Sequence, residues 1–87
     1  MTFRILVAPP ARRALESTLP EFIAAAAWEF IQGPLAENPR RVGKPLKGDL
    51  SGFWSARRGE YRVVYEINDD VVTVIILRIG HRRDIYR

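Results

Sequence analysis

The chain has no cysteine, one histidine and one methionine among its 87 residues. Without cysteine there is no disulfide to staple the fold and no thiolate chemistry, which fits a reducing compartment. A lone histidine, His81, cannot build the usual His and Cys zinc cluster, and the acidic residues are not gathered as an all-carboxylate Mg²⁺ site requires. Neither a metal nor another cofactor is expected. Long apolar runs are missing too: the longest, Phe22 to Trp28, falls far short of the ~20 residues of a membrane span. The opening stretch, MTFRILVAPP, lacks the apolar region and small-residue cleavage pattern of a secretory signal. The expectation is a cytoplasmic protein with no membrane partner. No GxGxxG and no GxxxxGK occurs, so the glycines at 43, 48 and 52 do not form a nucleotide cradle. Ser55, His81 and Asp84 are the residue types of a hydrolytic triad, but nothing in their placement supports one.

What is present is a core and an uneven charge. With 47% hydrophobic residues the chain reads as one small domain, residues 1–87. Its net charge of +4 is concentrated late: residues 1–39 hold three arginines against four glutamates, residues 40–87 eleven Lys and Arg against six Asp and Glu. A one-sided positive field is the footprint of polyanion binding, and acidic protein partners fit it as well.

TFRILV reads as a first strand, stopped by Pro9 and Pro10, which then start a helix with Ala11, Ala14, Leu15 and Leu19 as its apolar stripe. In TLPE, Thr18 and Glu21 have the spacing of a capping box, opening a second helix to about Gln32 that Gly33 and Pro34 end. Its core stripe is predicted as Phe22, Ile23, Ala26, Ala27, Phe30 and Ile31. Residues 35–49 show little periodicity and read as a basic connecting loop. Three strands follow: 53–58, 61–67 and, after Asn68, Asp69 and Asp70, 71–79, with a polar tail, GHRRDIYR. The predicted class is α+β, two N-terminal helices packed on one face of a small antiparallel sheet, in the order β-α-α-β-β-β, with the opposite face partly open.

The hairpin carries the functional signal. With Gly59 and Glu60 as a two-residue turn, Arg58 faces Tyr61 and Arg57 lies opposite Arg62. Alternation then puts Phe53, Ser55, Arg57, Arg62, Val64 and Glu66 on one face, and Trp54, Ala56, Val63 and Tyr65 on the core face. Like charges directly opposed cost up to about 1 kcal/mol in a sheet, and an anionic ligand offsets that. A metal-free cut of RNA suits these residues: a 2′-hydroxyl attacks its neighbouring phosphate, one group takes a proton, another gives one, and fixed positive charge meets the phosphate. Arginine serves the last role because its planar fork matches phosphate oxygens. Arg57 and Arg62 form that clamp; His81, Arg82 and Tyr86 are candidates for proton transfer and further charge. Phe53 is the candidate for base stacking, and Arg40, Arg41, Lys44, Lys47, Arg58 and Arg83 are candidate RNA contacts.

The stretches KPLKGDLSGFWSARRGEYRVVYEI and VVTVIILRIGHRRDIYR resemble the RelE/ParE superfamily of bacterial toxin–antitoxin toxins, on its RelE-like side. The shared pattern comprises Leu50, Gly52, Trp54, Arg57, Gly59, Tyr61, Arg62 and Tyr65 and the ending GHRRDIY. The resemblance implies an endoribonuclease that enters the ribosomal A site and cuts mRNA without metal. It assigns roles to Arg62, to Arg57, to His81 or Arg82 as the basic residue after the tail glycine, and to Tyr86. It implies as partners the ribosome, its mRNA and a RelB-like antitoxin, with a toxin–antitoxin heterotetramer as one assembly. The pattern departs at Phe53 and Ser55, where RelE-like relatives carry lysines. That leaves the proton acceptor open between His81 and a loop lysine, Lys44 or Lys47. The alternatives are a ParE-like poison of DNA gyrase acting by protein binding, and a catalytically weak homologue that only binds antitoxin.

Overall fold

A computed structural model describes residues 2–81 of the chain. It opens with β1 (Arg4–Val7), followed by α1 (Pro9–Arg13), whose two prolines occupy the first turn, where a missing N–H costs no hydrogen bond. α1 runs on as a π turn, Ala14–Thr18, closed by the Leu19 amide on the Ala14 carbonyl. α2 (Glu21–Phe30) likewise runs on through a π turn, Ile31–Leu35. Gly33 and Pro34 therefore do not end the second helix. The wider turn absorbs Pro34, whose ring clashes with the carbonyl four residues back in a regular α-helix.

The start and facing of α2 also differ from expectation. Pro20 holds the cap position without a side-chain bond, and the Thr18 hydroxyl donates back to the Arg13 carbonyl at 3.5 Å, so there is no capping box. The buried stripe is Ile23, Ala24, Ala27, Phe30 and Ile31, leaving Phe22 71% exposed. A run of four alanines gives the hydrophobic pattern little to distinguish one face from the next.

The segment read as loop contains α3 (Pro39–Val42), the two-residue strand β2 (Lys44–Pro45) and a 3₁₀ turn, Gly48–Leu50. β3 (Trp54–Arg58), β4 (Tyr61–Asn68) and β5 (Thr73–His81) complete a five-stranded sheet in the order β1-β5-β4-β3-β2. The sheet is mixed: β1 pairs with β5 in parallel, and the other neighbours are antiparallel. The helices cover one face, where Ile31, Leu35, Val63, Tyr65, Val74 and Ile76 are fully buried. Arg57, Arg62 and Val64 stand on the other. No helix among the described residues is long and apolar enough to cross a membrane.

Candidate functional site

Gly59, at φ +53, takes the first central position of the β3–β4 turn, a backbone that side chains other than hydrogen rarely adopt. That turn fixes Arg57 opposite Arg62 and Arg58 opposite Tyr61, as the sequence predicts. Directly paired residues share a face, with Cβ atoms about 5 Å apart. Two guanidinium groups therefore issue side by side from the open face, next to Ser55 and Val64.

β2 adds a second wall. Lys44 pairs with Ser55 and Pro45 with Trp54, so Lys44 falls on the open face and diagonal to Arg57. Between the walls lies a groove of about 540 Å³, with Arg41, Gly43 and Lys44 on one side and Ser55, Arg57 and Arg62 on the other. Four of the residues lining it are Arg or Lys, and among the described residues no carboxylate lines it.

Tyr65 and Gly43 hold that second wall in place. The fully buried Tyr65 hydroxyl donates to the Pro39 carbonyl at 2.5 Å, anchoring α3. Burial pushes its pKa up to about 12, so it remains a donor throughout the working range of pH. Gly43 lies directly over it: a Cβ there would overlap the Tyr65 hydroxyl and crowd the Ser55 carbonyl oxygen. Glycine is what lets β2 approach β3.

Other candidate residues are placed elsewhere. Arg58 turns to the covered side, its guanidinium carbon 4.7 Å from the centroid of the Phe30 ring. Arg40 pairs with Asp69 through two hydrogen bonds of 3.0 and 2.6 Å and lies 5.9 Å from the Trp54 ring. The hydrogen bonds of that pair hold Asp69 below the usual carboxylate range and raise Arg40. Neither arginine lines the groove. Lys47 is exposed ahead of the 3₁₀ turn and lies outside the lining. Phe53 is partly exposed beside β3, on the open side by alternation with Trp54.

His81 is placed away from the groove. A bulge at Leu77 shifts the register, so that Tyr65 pairs with Ile76 but Val64 pairs with Arg78 and Tyr61 with His81. Without the bulge His81 would share the open face; with it, His81 shares the covered face with Tyr61, beside Thr18, Leu19 and Pro20. The same shift sets the exposed Arg78 opposite Val64 and diagonal to Arg62, where it borders the hollow beside Thr18, Leu19 and Pro20 and does not line the groove. Sequence reading missed Arg78 as well as the roles of Gly43 and Tyr65. Arg82, Arg83 and Tyr86 lie outside the described residues.

A larger concavity, about 770 Å³, runs between α1 and α2. It is lined by Leu15, Leu19, Ala24 and Trp28, with Arg12 offset by Glu16 and Glu21, and so lacks the concentrated charge of the groove. Among the described residues no three or more His, Cys, Asp or Glu side chains cluster as metal ligands do.

Residues 5–86 match the family described as the ParE toxin of type II toxin–antitoxin systems. The chain belongs to this toxin family. Two relatives that match over nearly the whole chain carry Rel names. Toxin RelG of Mycobacterium tuberculosis is 51% identical over 87 residues, covering 100% of this chain and 99% of RelG. Toxin RelE of the same organism is 51% identical over 85 residues, covering 98% of this chain and 87% of RelE. The toxin–antitoxin complex RelBE2 of M. tuberculosis contains a chain that superposes with a TM-score of 0.90 at 48% identity, covering 94% of this toxin and 100% of that chain. The toxin in the Escherichia coli RelBE complex, at 20% identity and a TM-score of 0.75 over 91% of this chain and 95% of its own, shares the fold.

Proposed function

We propose that this toxin is a ribosome-dependent endoribonuclease that cuts mRNA in the A site and so stops translation. The observation that carries the reading is the directly opposed pair Arg57 and Arg62 in a groove whose other wall bears Arg41 and Lys44. A phosphodiester seated between the two guanidinium groups receives bidentate, charge-assisted hydrogen bonds where the transition state becomes more anionic. The 2′-oxygen forms a bond to phosphorus, the bond from phosphorus to the 5′-oxygen breaks, and the products are a 2′,3′-cyclic phosphate and a 5′-hydroxyl.

The partner that silences the toxin, on this reading, is an antitoxin of the RelB kind, as in the M. tuberculosis complex. The same basic groove is the natural target for an acidic segment of that partner, and a heterotetramer is the proposed assembly.

The ParE family match favours a second reading, a toxin that binds DNA gyrase and needs no catalytic groups. One experiment separates the two. Purified toxin is added to ribosomes programmed with a defined A-site codon, beside the same mRNA without ribosomes, and the products are mapped by primer extension. The endonuclease reading expects a cut inside the A-site codon only where ribosomes are present. Protein that arrests growth yet leaves this mRNA whole moves the assignment to gyrase.

A further inference from the structure

The outer side of α2 is a surface that neither the groove nor the core explains. Phe22, Ala25, Ala26 and Glu29 are exposed along it at the spacing of one helical face. Phe22 is 71% exposed, more than any other large hydrophobic side chain among the described residues. Beside its ring lies an apolar hollow of about 340 Å³, lined by Ile23, Ala26, Gly59 and Tyr61 together with Arg58 and Glu60 of the hairpin turn. A single exposed apolar residue is ordinary on a protein surface. A projecting ring and a hollow on one patch are what an isologous contact needs, because the same patch must serve both copies.

We propose that this patch binds a second copy of the chain about a two-fold axis, with the two α2 helices antiparallel and the axis between Ala25 and Ala26. These small side chains let the helices approach to the ~8–10 Å of a packed pair. That axis sets residue 22 opposite residue 29 and residue 21 opposite residue 30. Phe22 then meets the partner's Ala26 and the methylene stem of the partner's Glu29, at the mouth of the partner's hollow. The charges agree with this register. Arg58 lies 4.7 Å from the centroid of the Phe30 ring, so Glu21 is brought to the partner's Arg58, and the two-fold makes that pair twice. A parallel pairing would set Glu21 against the partner's Glu21 instead. Specific interfaces bury at least about 1,000 Å² in total, and one helix face with a hairpin turn is near that floor, so association is expected at micromolar concentrations. The helices cover one face of the sheet and the groove opens on the other, so pairing through α2 leaves both grooves accessible.

Sedimentation equilibrium of the full chain between about 1 and about 200 µM tests the pairing. Wild type is expected to pass from monomer to dimer within that range. Phe22→Glu should weaken association at least about tenfold, and Glu21→Arg about threefold or more. Reversing both charges, Glu21→Arg with Arg58→Glu, should regain most of the wild-type affinity, a rescue that non-specific apolar association would not show. Melting temperatures establish that each variant is folded. Toxin that stays monomeric throughout overturns the proposal and leaves the patch to another occupant, such as a helix of the antitoxin. A dimer that Phe22→Glu leaves intact overturns it too, as does folded charge-reversed protein that regains no affinity.

Discussion

On the open face of the sheet Arg57 stands beside Arg62 in a cationic groove, whereas one residue later, on the covered face, Arg58 lies over the Phe30 ring. Arg40 and Arg41 divide the same way: Arg41 lines the groove, and Arg40 is locked to Asp69 near Trp54. Adjacent residues of one type thus serve different ends, because the pleat sends successive side chains to opposite sides and helical geometry spreads them around an axis. The count of basic residues in the second half of the chain is an unreliable guide to the site. Parity along the strand is the better one.

The largest expected effect breaks the open side of this comparison. Replacing Arg57 and Arg62 together by alanine should abolish cutting on programmed ribosomes, a loss of at least about 100-fold, measured on protein whose fold is checked by its melting temperature. Gly43→Ala tests the seat of the second wall. The overlap with Tyr65 should cost about 1–3 kcal/mol in urea unfolding and lower cutting by displacing Lys44. Tyr65→Phe removes the donor to the Pro39 carbonyl and should cost a similar amount, about 1–3 kcal/mol, since a buried acceptor is left unsatisfied.

The smallest effect belongs to the exposed Arg40–Asp69 pair, outside the groove. Asp69 titrates below its unfolded value of about 3.9, so its pair with Arg40 adds stability above that value. The contribution is lost as pH falls through the lower, folded pKa. Urea midpoints at about pH 7 and about pH 3 should therefore fall further in wild type than in Asp69→Asn, with cutting at neutral pH the same in both. Equal falls would show that the pair, exposed on both sides, is thermodynamically silent.

The hairpin was legible because a Gly-Glu turn and strict alternation specify one register, and that register pairs Arg57 with Arg62. Other features left no comparable trace. Arg4–Val7 reads the same in either strand direction, so its parallel pairing with β5 depends on tertiary packing. The Leu77 bulge sits in an unbroken apolar run, VVTVIIL, and a one-residue slip there reverses the faces of Arg78 and His81. Val71 and Val72 have strand-like side chains, yet they belong to the β4–β5 turn, where Val72 adopts φ +48. β2 is two residues of pairing contributed by Lys44 and Pro45, too short for any periodicity. The groove was therefore half visible: its arginines followed from the hairpin, while its lysine wall required Tyr65 and Gly43 in three dimensions.

The most direct test of the division between the faces sets Arg57→Ala beside Arg58→Ala in one assay, A-site cutting of a defined codon mapped by primer extension. Arg57→Ala should lose about 100-fold or more, and Arg58→Ala should cut within about threefold of wild type. Equal losses in the two variants, or a larger one in Arg58→Ala, would contradict the assignment of the open face as the RNA-cutting surface.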